Sequence, residues 1–194
     1  MDTPNTTELI ARTRPKRADA RRNYEKVLAA ARDAFAEGGA ATSLEEIARR
    51  AEVGIGTLYR HFSTRQALLE AVYLDEVEAL CRSVDDLAGL PPWDALARWL
   101  KRLVSYLVTK QALAPELLTY VDRDADVFKS SRAALWAAGE PLLERAQQAG
   151  VVRADTDLME VIQMVGGIAK IPAGDAAQID HILEMALDGL RYRA

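Results

Sequence analysis

The chain is poor in the residues from which most enzyme centres are built. Its 194 residues include one cysteine, Cys81, and two histidines, His61 and His181. A single thiol excludes an intrachain disulfide and fits a reducing cytoplasm, and Cys81 is expected to be a small, inert residue on a helix. Cys81 with a distant His181 is too little for a thiol site. The sequence has no nucleophile elbow, phosphate loop or metal-spaced cluster. Asp122, Asp124 and Asp126 alternate as in a calcium loop but lack its glycine and terminal glutamate, so they read as a solvated connector. No catalytic residue, metal or organic cofactor is therefore expected. Long apolar runs are missing too. No segment approaches about 18 consecutive apolar residues, which argues against a membrane span. Met1 to Ala11 carries no positive charge ahead of a long apolar run, so no secretory signal is expected there. Alternating apolar and polar runs, the mark of a half-buried strand, are absent, as is any internal repeat.

What is present is apolar helical patterning and an uneven charge. Hydrophobic residues make up 49 % of the chain, enough for a substantial core in one domain or two small ones. The net charge is −4, yet residues 12–66 hold twelve Arg or Lys against seven Asp or Glu, while the remainder is strongly acidic. Such asymmetry points to a basic working end on an acidic body. Arg12, Arg14, Lys16, Arg17, Arg21 and Arg22 are opposed only by Asp19. Residues 1–18 read as a flexible basic arm, either a plain solvated tail or a non-specific phosphate binder.

Apolar spacing of three and four predicts an all-α fold of about nine helices. The first runs from about Asp19 to Glu37 and stops at Gly38-Gly39. Ser43-Leu-Glu-Glu46 has the form of a capping box and opens a short helix with Leu44, Ile47, Ala48 and Ala51 inward. A second short helix covers Ile55 to His61, and Ser63-Thr-Arg-Gln66 caps a long one through Leu80. Pro91-Pro92 introduces a central helix, since proline is tolerated in a first turn. Pro115 is expected to start a separate short helix through Tyr120. A helix over about Ala125 to Ala149, bent at Pro141, stops at Gly150. Asp155 or Thr156 caps the next helix and Asp175 the last.

The segment Ser43 to Phe62, SLEEIARRAEVGIGTLYRHF, carries the chemistry. It reads as a capped helix, a tight turn at Glu52-Val53-Gly54, and a second helix. Ile47, Val53, Leu58 and Phe62 are spaced to bury inward. Thr57, Arg60 and His61 then point outward with Tyr59 on the border. An outward helix rich in donors suits a major groove about 12 Å wide. Gly56 removes a side chain where backbone would come closest to phosphate, and Thr42 and Ser43 place hydroxyls beside a helix N-terminus that favours an anion.

These residues, with Phe35, Glu37-Gly38, Ile47-Ala48, GTLYRHF at 56–62 and the following STRQALL, make the stretch from about Arg21 to Leu80 resemble the DNA-binding domain of the TetR family. The resemblance implies domains at 19–80 (helix-turn-helix motif 43–62) and 81–194 (effector binding and dimerisation). It implies a cytoplasmic homodimeric regulator, expected to be a repressor that a small-molecule effector releases from a double-stranded operator. Carried over by position, DNA contacts fall on Thr42, Ser43, Gly56, Thr57, Tyr59, Arg60, His61 and Arg65. Tyr59 and His61 would touch phosphates, whereas Thr57 and Arg60 would read bases. Partial burial under the motif competes for Tyr59, and a backbone-satisfied helix terminus for His61. Glu52 and Gly54 depart from the commonest family pattern, which has glycine in the turn and serine or threonine as the second cap. Beyond residue 80 the resemblance is architectural. It implies a pocket for which Trp99, Tyr106, Phe128, Trp136 and Met164 are candidates, with ordinary core packing as the competing role. It also implies an interface of the last two helices through Val161, Ile162, Val165, Ile179, Ile182 and Ala186.

Overall fold

A computed structural model of the chain describes residues 15–39, 42–122, 125–171 and 176–191. Most of the predicted arm (residues 1–14), the proposed cap Asp175 and Asp124 of the acidic connector lie outside those residues. The described residues form eight α-helices and a 3₁₀ turn at Asp85–Leu87: α1 (Ala18–Gly38), α2 (Leu44–Arg50), α3 (Ile55–His61), α4 (Arg65–Arg82), α5 (Pro92–Tyr120), α6 (Asp126–Gln148), α7 (Leu158–Ala169) and α8 (Ala176–Leu190). No strand occurs among them, only an isolated bridge between Val152 and Arg191. None of these helices is long and apolar enough to cross a membrane.

The chain divides into two compact units. Of the described residues, one unit contains those up to Glu78 and those within 109–131, and the other those within 79–108 and from Arg132 on, so α5 and α6 contribute to both. In the first unit the stripe predicted on α1 is its core face: Tyr24, Val27, Leu28, Ala31, Ala34 and Phe35 are all buried. Ile47, Leu58, Phe62, Leu68 and Leu69 of the same unit are also buried, and the Tyr24 and Phe62 ring centroids lie 4.9 Å apart. Each such side chain contributes roughly 1.5–3 kcal/mol relative to exposure. Gly39 ends α1 in the left-handed region at φ 55° and donates its N–H to the Phe35 carbonyl. Gly38 has a different reason to be glycine, since a Cβ there would lie 2.5 Å from the Thr42 hydroxyl oxygen.

Arg32 of α1 ties to α4 through Asp75 at 2.9 Å and through Glu76. Burial raises the Glu76 pKa against the opposing pull of Arg32.

In the second unit Trp99 of α5 is fully buried, and its ring lies where a Cβ of Gly139 on α6 would fall, 2.4 Å from the nearest ring atom. Arg145 closes the Gly89-Leu-Pro-Pro92 turn by donating to the carbonyls of Ala88 (3.3 Å) and Leu90. Helices α7 and α8 pack on each other, and Lys101 of α5 reaches Glu184 of α8 at 2.9 Å.

Three boundaries differ from the sequence expectation. Pro115 starts no helix but lies inside α5. Its ring removes one backbone donor, but it faces solvent while Leu113 and Leu117 beside it are buried, and that packing carries the helix past it. Helix α4 is capped by Thr64, whose Oγ1 accepts from the Ala67 N–H at 3.0 Å, rather than by Ser63. Helix α7 is capped by Asp157, one residue beyond the expected pair.

Candidate nucleic-acid interface

Helices α1, α2 and α3 pack mutually, and the motif is built on that cluster. Ser43 is the N-cap of α2; its Oγ accepts from the Glu46 N–H at 3.1 Å, as the capping pattern predicts. The Glu46 carboxylate is spent differently. It takes a two-pronged bond from Arg49, both contacts 2.8 Å, and another from Arg50, also 2.8 Å. Arg49 first, then Arg50, hold the Glu46 pKa at about 2. Arg50 also reaches Glu37 at 2.7 Å. The two arginines of the first motif helix are thereby paired with carboxylates of the same unit.

The turn from α2 to α3 has a defined chemistry. The Val53 N–H donates to the Ala48 carbonyl at 3.0 Å and the Glu52 N–H to that of Arg49 at 3.2 Å. This is the paired bonding of a Schellman termination, which requires its penultimate residue to be left-handed. Glu52 fills that position at φ 56°, the sole non-glycine with positive φ among the described residues. Gly54 then caps α3 without a side-chain bond.

Helix α3 turns Leu58 fully inward. Gly56, Tyr59 and Arg60 face solvent, Tyr59 with 46 % of its surface exposed, while Thr57 and His61 are half-buried. Val53, expected to be inward, is also half-buried. The His61 ring packs edge-on against Tyr24, centroids 5.9 Å apart at 81°, and burial lowers its pKa. Arg60 makes no ion pair or hydrogen bond among the described residues, unlike Arg49 and Arg50.

Two of the expected contact residues are turned to internal use. Thr42 is half-buried, and its hydroxyl donates to the Ala34 carbonyl at 2.9 Å. Arg65 forms a two-pronged pair with Glu116, Nη2 to Oε2 at 2.9 Å, donates Nη1 to the Thr42 carbonyl, and lies over the Phe35 ring at 5.1 Å. Its bonds to Glu116 raise its pKa further. Glu116 was invisible to sequence reading, because it lies 51 residues from its partner and carries no local motif.

In the second unit Trp99 and Tyr106 are buried, Trp136 is exposed and Met164 is half-buried. Phe128 belongs to the first unit and packs edge-on against Tyr73 at 5.3 Å. Met164 borders a cleft of about 290 Å³ with Arg153, Asp155, Thr156, Glu160, Val161 and Leu190. Of the residues expected at an interface, Val161, Val165 and Ile179 are buried within the chain itself, whereas Ile162, Ile182 and Ala186 are half-exposed. Met159 and Met185 are 47 % and 55 % exposed.

Comparison with known proteins agrees with this arrangement. Residues 27–72 match the family described as bacterial regulatory proteins, tetR family, and residues 91–192 match the transcriptional regulator SbtR-like C-terminal domain. The crystal structure of the TetR transcriptional regulator SCO0520 from Streptomyces coelicolor is 41 % identical, with a TM-score of 0.79 over 88 % of this chain and 99 % of that one. A TetR transcription regulatory protein from Mycobacterium vanbaalenii is 35 % identical, with a TM-score of 0.73 over 92 % and 100 %. The HTH-type transcriptional regulator UidR of Escherichia coli (strain K12) is 26 % identical over 163 residues, 79 % of this chain and 83 % of UidR. The HTH-type transcriptional repressor Rv3405c of Mycobacterium tuberculosis (strain ATCC 25618 / H37Rv) is 51 % identical over 47 residues, 24 % of this chain and 25 % of Rv3405c.

Proposed function

The chain belongs to the TetR family of DNA-binding transcriptional regulators, and we propose that it is a cytoplasmic homodimeric repressor released from its operator by a small-molecule effector. The observation that carries the DNA-binding reading is Arg60. It is an exposed guanidinium with no partner among the described residues, on the outer face of a helix whose inner face is buried at Leu58. A planar fork so placed suits bidentate contact with guanine O6 and N7. Thr57 lies one turn earlier on the same helix. We assign phosphate donation to the exposed Tyr59 and to His61 at the end of the same helix. Gly56 offers bare backbone. The Ser43 hydroxyl accepts from Glu46 and still has a proton to give an anion at the start of α2. We leave Thr42 and Arg65 out of this set, since the Thr42 hydroxyl donates to Ala34 and the Arg65 guanidinium bonds Glu116 and the Thr42 carbonyl.

Association of two copies rests on the outward faces of α7 and α8, where Ile162, Ile182 and Ala186 adjoin the exposed Met159 and Met185. The release mechanism follows only if an effector binds two conformations of the dimer unequally. Repression is supported by the name of one relative, a repressor.

The test is selection of duplexes from a randomised pool, followed by anisotropy titrations at several salt concentrations. Wild type should select a pseudo-palindrome with half-sites about one helical turn apart, and its affinity should fall steeply with salt. Arg60→Ala should cost roughly 1–3 kcal/mol and relax preference at one base position. Uniform weakening on every sequence would make Arg60 a phosphate contact, and failure to select any sequence would end the operator reading.

A further inference from the structure

Arg65 begins α4, and its position in the motif suits a phosphate ligand; its surroundings do not. Nε and Nη2 grip both oxygens of Glu116, and Nη1 grips the Thr42 carbonyl. The pair is poorly exposed, at 21 % for the arginine side chain and 12 % for the glutamate. The ring of Phe35 on α1 lies against the guanidinium. Thr42 is fixed a second time by its bond to the Ala34 carbonyl, and Gly38 leaves the space its hydroxyl occupies. Thr42 immediately precedes Ser43, the N-cap of the first motif helix. Three helices thus converge on the Thr42 peptide: α1 through Ala34, Phe35 and Gly38, α4 through Arg65, and α5 through Glu116 behind it.

A carboxylate that occupies the Nε–Nη2 edge of a guanidinium excludes a phosphate from that edge, because both anions want the same fork, and here the remaining nitrogen is turned to the Thr42 carbonyl. We propose that Glu116 is a positioning residue for DNA binding. By holding Arg65 on the Thr42 carbonyl, it fixes the start of the helix-turn-helix against α4, and Arg65 itself neutralises no phosphate. This rests on the DNA-binding reading above, and the two fail differently.

The sign of one substitution separates positioning from phosphate contact. If Arg65 were a phosphate ligand, Glu116 would be a competing anion, and Glu116→Gln would tighten binding to any duplex. As a positioning residue, Glu116→Gln should weaken binding to the wild-type-selected duplex by roughly tenfold, the scale of a lost charged hydrogen-bond pair. Binding to a scrambled duplex should stay unchanged. The slope of log affinity against log salt should stay unchanged in both Glu116→Gln and Arg65→Gln, whereas a lost phosphate contact lowers it by about 0.9. Circular dichroism at the titration temperature establishes that each variant is folded. Should a single variant unfold, the reversed pair Arg65→Glu with Glu116→Arg replaces it and should show the wild-type salt slope. Tighter binding by Glu116→Gln, a slope reduced by about 0.9 in Arg65→Gln or in the reversed pair, or unaltered specific affinity in both single variants overturns the proposal. If wild type binds no duplex, the regulator reading falls with it; if wild type binds and Glu116→Gln matches it, only the positioning role falls.

Discussion

Glu52 occupies a backbone conformation that costs an L-residue about 1–2 kcal/mol. Its carboxylate recovers little of that, since the contact with Lys26 is long, 3.6 Å, and solvent-exposed. Glycine would adopt the same φ without strain but would lose about 0.5–1 kcal/mol more in chain entropy on folding. Glu52→Gly should therefore stabilise the protein by about 0.5–1 kcal/mol, read as a higher urea midpoint at unchanged slope. A lower midpoint would mean that the side chain does more at the turn than its contacts indicate. The tight turn at Glu52-Val53-Gly54 was legible beforehand, and the family resemblance marked Glu52 as standing where glycine is usual. The partnership of Arg65 with Glu116 was not, because side-chain pairing across 51 residues leaves no periodic trace.

Helix termini follow from the competition of neighbouring side chains for the same N–H groups. Asp155, Thr156 and Asp157 are three consecutive capping residues, and α7 takes the third. Asp155 is bonded to Arg153, Thr156 donates to Glu160 at 2.9 Å, and Asp157 has Glu160 three residues on to complete the reciprocal box. The spacing rule that found Ser43 from Glu46 selects Asp157 here as well, once it is given weight over proximity to the turn. Asp157→Ala should cost about 1 kcal/mol of unfolding free energy, and Asp155→Ala less than half of that. Equal losses would show that the box is no more than one of several equivalent ends. Pro115 misled the sequence reading for a different reason. A proline inside a helix is a local penalty, and whether it ends the helix depends on burial to either side, here at Leu113 and Leu117.

At the scale of the molecule, the all-α class and the motif were legible because helical period and capping are local properties. Which surface covers an apolar position is not local. Val161, Val165 and Ile168 form one buried stripe of α7, while Ile162 stands on another face, yet hydrophobicity alone grades them alike. The distinction gives a paired expectation. Ile182→Asp should leave a folded chain that elutes at half the wild-type mass in light scattering. Val165→Asp, in contrast, buries an unpaired carboxylate and should unfold the protein, at a cost of several kcal/mol. If Ile182→Asp elutes unchanged, association uses another face.

The contact between Trp99 and Gly139 constrains how such a chain can diverge. Any side chain at 139 collides with the indole, and shrinking the indole first leaves a void lined by its former neighbours. Neither order of change is free, so a descendant that swaps these two residues must pass through a weakened ancestor or acquire a stabilising change elsewhere beforehand.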